Sequence, residues 1–151
     1  MNLYLIRHGE AVREETDPSR PLSEEGRAQV LDVAQFLKDR KIDPGEIWFS
    51  DKLRARQTAG IIAAELDAKK TVQKTGLGPN DSTTEILEEI YEADKDISVV
   101  GHLPFLSKLL SQILTSDENC DIFRFEGAGI VCLERSELGW QIVWAISPSL
   151  L

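Results

Sequence analysis

Asn2–Glu10 reads NLYLIRHGE: an apolar run, Asn2–Ile6, that gives way without transition to Arg7-His8-Gly9. A compact apolar run marks a strand buried on both faces, as in a parallel sheet covered by helices. Two later stretches repeat the pattern. Glu46–Ser50 (EIWFS) leads into Asp51-Lys52-Leu53-Arg54-Ala55-Arg56-Gln57-Thr58, and Ile97–Gly101 (ISVVG) leads into His102-Leu103-Pro104.

Helical signals separate these strands. Ser23 is an N-cap with Glu24 and Glu25 in the favourable first turn, and Val30, Leu31, Val33, Ala34 and Leu37 form one apolar face. Lys38, Arg40 and Lys41 close that helix before Pro44-Gly45 stops it. Ser50 and Asp51 can cap a second helix carrying Leu53, Thr58, Ile61, Ile62 and Leu66. A short strand at Thr71–Lys74 and a loop at Gly76–Ser82 follow. Ser82-Thr83-Thr84-Glu85 reads as a capping box ahead of Ile86, Leu87, Ile90 and Tyr91. Pro104 opens the last helix, with Phe105, Leu106, Leu109, Leu110, Ile113 and Leu114.

The tail changes character: Ile122–Phe125, Ile130–Arg135 and Gln141–Ile146 read as strands, with a hairpin at Leu138-Gly139. Gly127-Ala128-Gly129 is read as a hairpin turn in preference to a close-approach turn near a site. Strand–helix alternation ending in short strands predicts an α/β three-layer sandwich. Its sheet is mainly parallel, with helices on both faces and room for an antiparallel edge strand.

Composition narrows the partners. A chain of 151 residues suits one domain, 1–151, with a core of its own. A net charge of −9 repels nucleic-acid phosphates and anionic membranes, so neither is expected as a partner. Local arginines gain meaning against that background. Cys120 and Cys132 are too few for a disulfide framework and match no zinc spacing, so reduced thiols and no metal are expected. No secretory leader is read at the N-terminus, and no apolar stretch approaches the roughly 20 residues that span a bilayer. The expectation is a cytoplasmic monomer.

The chemistry-bearing residues gather at the strand ends, where open α/β sheets bind ligands. Arg54 falls in the first turn of its helix, where free N–H groups already favour an anion. A solvated side chain remains the better reading of Arg56. Both histidines of the chain, His8 and His102, stand at strand-to-helix junctions beside a glycine. A lone histidine is usually structural; two at equivalent junctions point to one shared site.

Across Leu5-Ile6-Arg7-His8-Gly9-Glu10, Leu53-Arg54-Ala55-Arg56-Gln57-Thr58 and Gly101-His102-Leu103-Pro104, the chain resembles the histidine phosphatase superfamily, also called phosphoglycerate-mutase-like. The motifs stand in family order over about two thirds of the chain. The length and Arg20-Pro21-Leu22-Ser23 make it most similar to the short, SixA-like branch. The resemblance implies a phosphatase with His8 as nucleophile, its other ring nitrogen held by a carbonyl. Arg7 and Arg54 grip the phosphoryl oxygens, and His102 adds a donor when protonated. Arg20, Gly9 and Leu103 complete the substrate contacts. Such a cationic cluster does the work of metal ions, and no cofactor is implied.

One departure bears on substrate. Larger members use a glutamate as general acid, for which Glu85 is better explained by its capping box, leaving Asp81 and Glu10 as candidates. A missing acid costs about 10²–10⁴-fold with an alkoxide leaving group and less with imidazole. The expected substrate is therefore a phosphohistidine protein, such as a histidine-containing phosphotransfer domain in signalling. The alternatives are a small phosphate ester such as a sugar phosphate, or a phosphate-binding regulatory module without turnover.

Overall fold

The computed structural model describes residues 1–151. Four strands, β1 (Asn2–Arg7), β2 (Glu46–Phe49), β3 (Thr71–Gln73) and β4 (Ile97–Gly101), alternate with helices α1 (Glu24–Asp39), α2 (Leu53–Leu66), α3 (Thr84–Glu92) and α4 (Phe105–Thr115). Two strands, β5 (Ile130–Ser136) and β6 (Gly139–Ile146), finish the sheet before a terminal turn of 3₁₀ helix, Pro148–Leu150. The strand order is β3-β2-β4-β1-β5-β6. The first four are parallel, and β5 and β6 add an antiparallel edge.

Strand side chains alternate between faces, and each face is roofed. Leu3, Leu5, Trp48 and Val99 pack with Ile86 and Ile90 of α3 and Phe105, Leu106 and Leu109 of α4. Tyr4, Ile6, Ile47 and Val100 pack on the opposite side with Val30, Val33 and Leu37 of α1 and Ala55, Ala59 and Ile62 of α2. This two-sided burial is why β1 and β4 lack polar alternation.

Local chemistry agrees with several expectations. Ser23 caps α1, its hydroxyl accepting from the Gly26 N–H at 3.0 Å. The hairpin turns at Gly139, whose φ of +99° suits a residue without Cβ. Trp48 fills core, and Cys132 is buried.

Other expectations are corrected. Ile122–Phe125 forms no strand, so Gly127-Ala128-Gly129 closes no hairpin. That turn lies against the end of β1 instead: Ala128 N–H donates to the His8 carbonyl at 3.1 Å and Arg7 N–H to the Gly129 carbonyl at 3.0 Å. It is a close-approach turn. The capping box at Ser82–Glu85 does not form, because Thr83 adopts a helical backbone without a side-chain cap. Asp51 is exposed, and Lys52 occupies the N-cap position of α2. Ser50 is drawn inward.

Candidate active site

β1 and β4 are parallel neighbours in a register that pairs Arg7 with Gly101. The residues that follow them, His8 and His102, therefore emerge side by side. Their ring centroids are 5.0 Å apart. β2 flanks β4 on its other side, so the start of α2 delivers Arg54 to the same place. Its Nε–H points at His8 Nε2 across 3.4 Å, a long, weak hydrogen bond.

The His8 ring is locked from behind. Its Nδ1 lies 2.6 Å from the Gly9 carbonyl, which accepts a proton and has none to give. Nδ1 therefore carries the hydrogen and Nε2 keeps a bare lone pair. Burial, then the charges of Arg54, Arg7 and Arg20, hold the imidazole down to about 4, against an opposing pull from the Gly9 hydrogen bond. The ring is neutral at physiological pH.

His102 is 1% exposed. Its Nε2 meets the Ser50 hydroxyl at 2.8 Å, and its Nδ1 is buried without a partner. Burial, followed by His8, Arg54, Lys52 and Arg20, lowers it to about 3. His102 is thus a neutral ring near neutral pH, so the condition attached to its donor role, protonation, is not met by the ring on its own.

The arginines are held with polarity to spare. Arg7 Nη1 donates to the Phe125 carbonyl at 2.8 Å, while its Nε is buried and unpaired. Burial lowers the pKa of both Arg7 and Arg54, and the Arg20 charge adds to the effect on Arg54. Arg20 adopts a left-handed backbone, φ +47°, rare for a side chain with Cβ. Its N–H bonds to the Asp17 carbonyl and its Nε to the Val12 carbonyl at 3.1 Å, which keeps it there. That conformation puts Arg20 on a concavity of about 250 Å³ with Arg7, His8, Gly9, Glu10 and Gln29.

The two remaining expected contacts are Gly9 and Leu103. Gly9 lines the concavity, but its carbonyl holds the His8 ring and its N–H donates to Thr58 Oγ1 at 3.1 Å. A Cβ at Gly9 would come within 2.8 Å of the Gly26 carbonyl oxygen, so the glycine lets this loop lie on α1. Leu103 lines a separate neighbouring concavity of about 450 Å³, together with Phe123 and Phe125. Of the two candidate acids, Glu10 stands on the rim of the His8 concavity. The Asp81 carboxylate is spent on the Gly78 N–H at 2.7 Å.

Sequence reasoning missed Thr58, Gln57, Gln29 and Ser50. Thr58 is fully buried and joins two segments, accepting from Gly9 N–H and donating to the Arg54 carbonyl at 2.8 Å. Gln57 accepts from the Leu22 N–H at 2.7 Å and pins the Arg20 loop to α2. A signal was available: polar Gln57-Thr58 continues the inward side of a helix whose other inward residues are apolar.

Comparison with known proteins agrees with this geometry. The sequence profile of the Histidine phosphatase superfamily (branch 1) matches residues 3–77, which include His8, Arg20 and Arg54. An uncharacterized protein of Picosynechococcus sp. is 39% identical over 72% of this chain and 70% of its own. Phosphohistidine phosphatase SixA of Escherichia coli is 27% identical over 98% of this chain and 94% of its own. A solved structure of the protein histidine phosphatase SixA complexed with tungstate superposes with a TM-score of 0.86 over 99% of both chains, at 22% identity. Strand order, motif order and full-length similarity converge: this chain belongs to the histidine phosphatase superfamily and is a phosphatase of the histidine-phosphatase type.

Proposed function

We propose that the protein is a metal-independent phosphohistidine phosphatase acting on phosphorylated proteins, with His8 as nucleophile. The observation that carries this reading is the bare Nε2 of His8, 3.4 Å from Arg54 Nε, with Nδ1–H fixed on the Gly9 carbonyl. An incoming oxyanion competes for the Arg54 guanidinium with a charge-assisted bond stronger than that long contact. His8 Nε2 then donates its electron pair to phosphorus, and the P–N bond to the substrate imidazole breaks with its electron pair leaving on that ring, which departs as neutral imidazole because its other nitrogen carries a proton. Water attacks the phosphoryl-His8 intermediate in a second displacement, releasing inorganic phosphate, giving its surplus proton to solvent and restoring the lone pair. Arg7, Arg54 and Arg20 supply fixed positive charge where phosphoryl charge develops, as metal ions do elsewhere.

The substrate follows from what surrounds the nucleophile. Glu10 is exposed on the rim and Asp81 is tied to its own loop, so no buried, positioned acid stands ready for an alkoxide. Imidazole leaves with less help. A second reading, a small-ester phosphatase with Glu10 as acid, rests on Glu10 sharing the His8 concavity. A soluble monomer acting on a cytoplasmic signalling protein completes the proposal.

Labelled phosphate from a phosphohistidine protein should be trapped on His8 as an acid-labile, alkali-stable adduct, without added metal. His8→Ala should lower turnover by about 10⁴-fold or more, as loss of a covalent nucleophile does elsewhere. Retained turnover in His8→Ala would refute the mechanism. A strong preference for sugar phosphates, lost in Glu10→Gln, would replace the first reading with the second.

A further inference from the structure

The Ser50 hydroxyl is completely buried, and such a group needs a hydrogen-bond partner for its proton. Its oxygen receives the Lys52 N–H at 3.4 Å, which gives Ser50 no acceptor. Its remaining partner is His102 Nε2 at 2.8 Å. A serine hydroxyl has one proton to give and a neutral imidazole one nitrogen able to accept it. If Nε2 instead carried the ring hydrogen and donated to Ser50, the hydroxyl proton would be buried without an acceptor. The accounting closes when Ser50 O–H donates to Nε2, which leaves the His102 ring hydrogen on Nδ1. That nitrogen has no protein partner.

We propose that Ser50 is a positioning residue that fixes His102 as the Nδ1–H tautomer, making it an uncharged hydrogen-bond donor to the phosphoryl group held at His8. The assignment of the phosphoryl group rests on the phosphatase reading; the tautomer does not. The two rings then share one tautomer for opposite ends. His8 spends Nδ1–H on Gly9 and offers a lone pair, while His102 spends its lone pair on Ser50 and offers an N–H. The second histidine can thus bind an oxyanion without first taking up a proton, which suits a ring crowded by Arg54, Lys52 and Arg20.

The full chain contains only these two histidines, so labelling the ring nitrogens of histidine gives four resonances, assigned with His8→Gln. At neutral pH both rings should show a protonated Nδ1 and a bare Nε2. A protonated Nε2 on His102 in the unaltered protein overturns the proposal without any variant. Ser50→Ala should release His102 to a mixture or to the Nε2–H form, while His8 stays as it was. A His102 spectrum unchanged by Ser50→Ala removes Ser50 from the account. A preorganised donor to developing charge is worth about 10²–10³-fold, so intermittent donation in Ser50→Ala should lower kcat on a phosphohistidine protein by about tenfold. An unchanged kcat beside an altered tautomer would overturn the role in turnover. The spectra need no substrate, so failure of the phosphatase reading and failure of the tautomer assignment remain separate results.

Discussion

The two ends of the parallel sheet carry concavities of opposite design. At the strand N-termini lies the larger, about 680 Å³, walled by Lys38, Lys70 and Lys95 and by Glu46, Glu65 and Asp96. Its charges are mostly matched. Glu46 receives Lys95 at 2.7 Å, Lys70 at 3.1 Å and the Trp48 indole at 2.8 Å; Lys38 faces Glu65 at 3.6 Å, and Asp96 accepts from the Asn2 N–H at 2.6 Å. At the strand C-termini the concavity is less than half that size; Arg7 and Arg20 line it, Arg54 stands against His8 beside it, and no carboxylate pairs with any of the three. Arg7 Nε, His102 Nδ1 and Gln29 Oε1 are buried without partners, three of only four such side-chain atoms in the molecule. Volume does not mark the candidate site; uncompensated polarity does. A surface whose charges neutralise one another stabilises the fold, and one whose donors are unspent can receive an anion.

Substitutions at each end should separate these roles. The largest expected effect after loss of the nucleophile is at Arg54. Arg54→Ala should lower kcat/KM on a phosphohistidine protein by about 10²–10³-fold, as removal of a transition-state donor does. A loss under fivefold would show that Arg7 and Arg20 suffice and break the contrast. Thr58→Val keeps shape but strands the Gly9 N–H, so it should destabilise by about 1–3 kcal/mol in urea unfolding. It should also reduce kcat, because Thr58 ties the His8 loop to the Arg54 turn; unaltered kcat would confine Thr58 to the fold.

The two ends should also lose stability in different acid ranges. His8 and His102 sit near 4 and 3 when folded, below the ordinary 6.5, so the unfolded chain binds protons first as pH falls. Their contribution is complete above 6.5 and drains through the folded values. Burial pushes Glu46 up, but hydrogen bonds from Lys95, Trp48 and Lys70 outweigh it and hold the carboxyl at about 2. Its contribution therefore persists to 4.5 and is lost below. Urea unfolding between pH 6.5 and 4.5 should report the histidines, and His8→Gln should flatten that slope. Smallest in its effect on turnover, Glu46→Gln should lower stability while leaving kcat within about twofold, since Glu46 stands at the opposite end of the sheet from His8. A large drop in kcat would join the two ends and end the comparison.

Much of the frame was legible because its cause is local. The apolar runs of β1 and β4, the Ser23 cap and the glycine at the β5–β6 hairpin each follow from a few adjacent side chains. Ile122–Phe125 misled because its apolar residues alternate like a strand. Phe125 is instead buried with Phe123 packed edge-on against it, and its carbonyl is taken by Arg7. Ser82–Glu85 had the letters of a capping box, but a helical backbone at Thr83 withdrew the cap.

The sequence alone determined which groups could serve: two imidazoles and two arginines at strand ends, in an order that makes a parallel sheet with covered faces. The tertiary structure decided what those groups are: that His8 is bare at Nε2, that His102 is neutral, that Arg20 enters the site and that Leu103 faces a neighbouring hollow. The reason is that tautomer, charge state and direction depend on partners distant in the chain. The Ser50–His102 contact spans 52 positions and the Gly9–Thr58 contact 49, separations that no local pattern encodes.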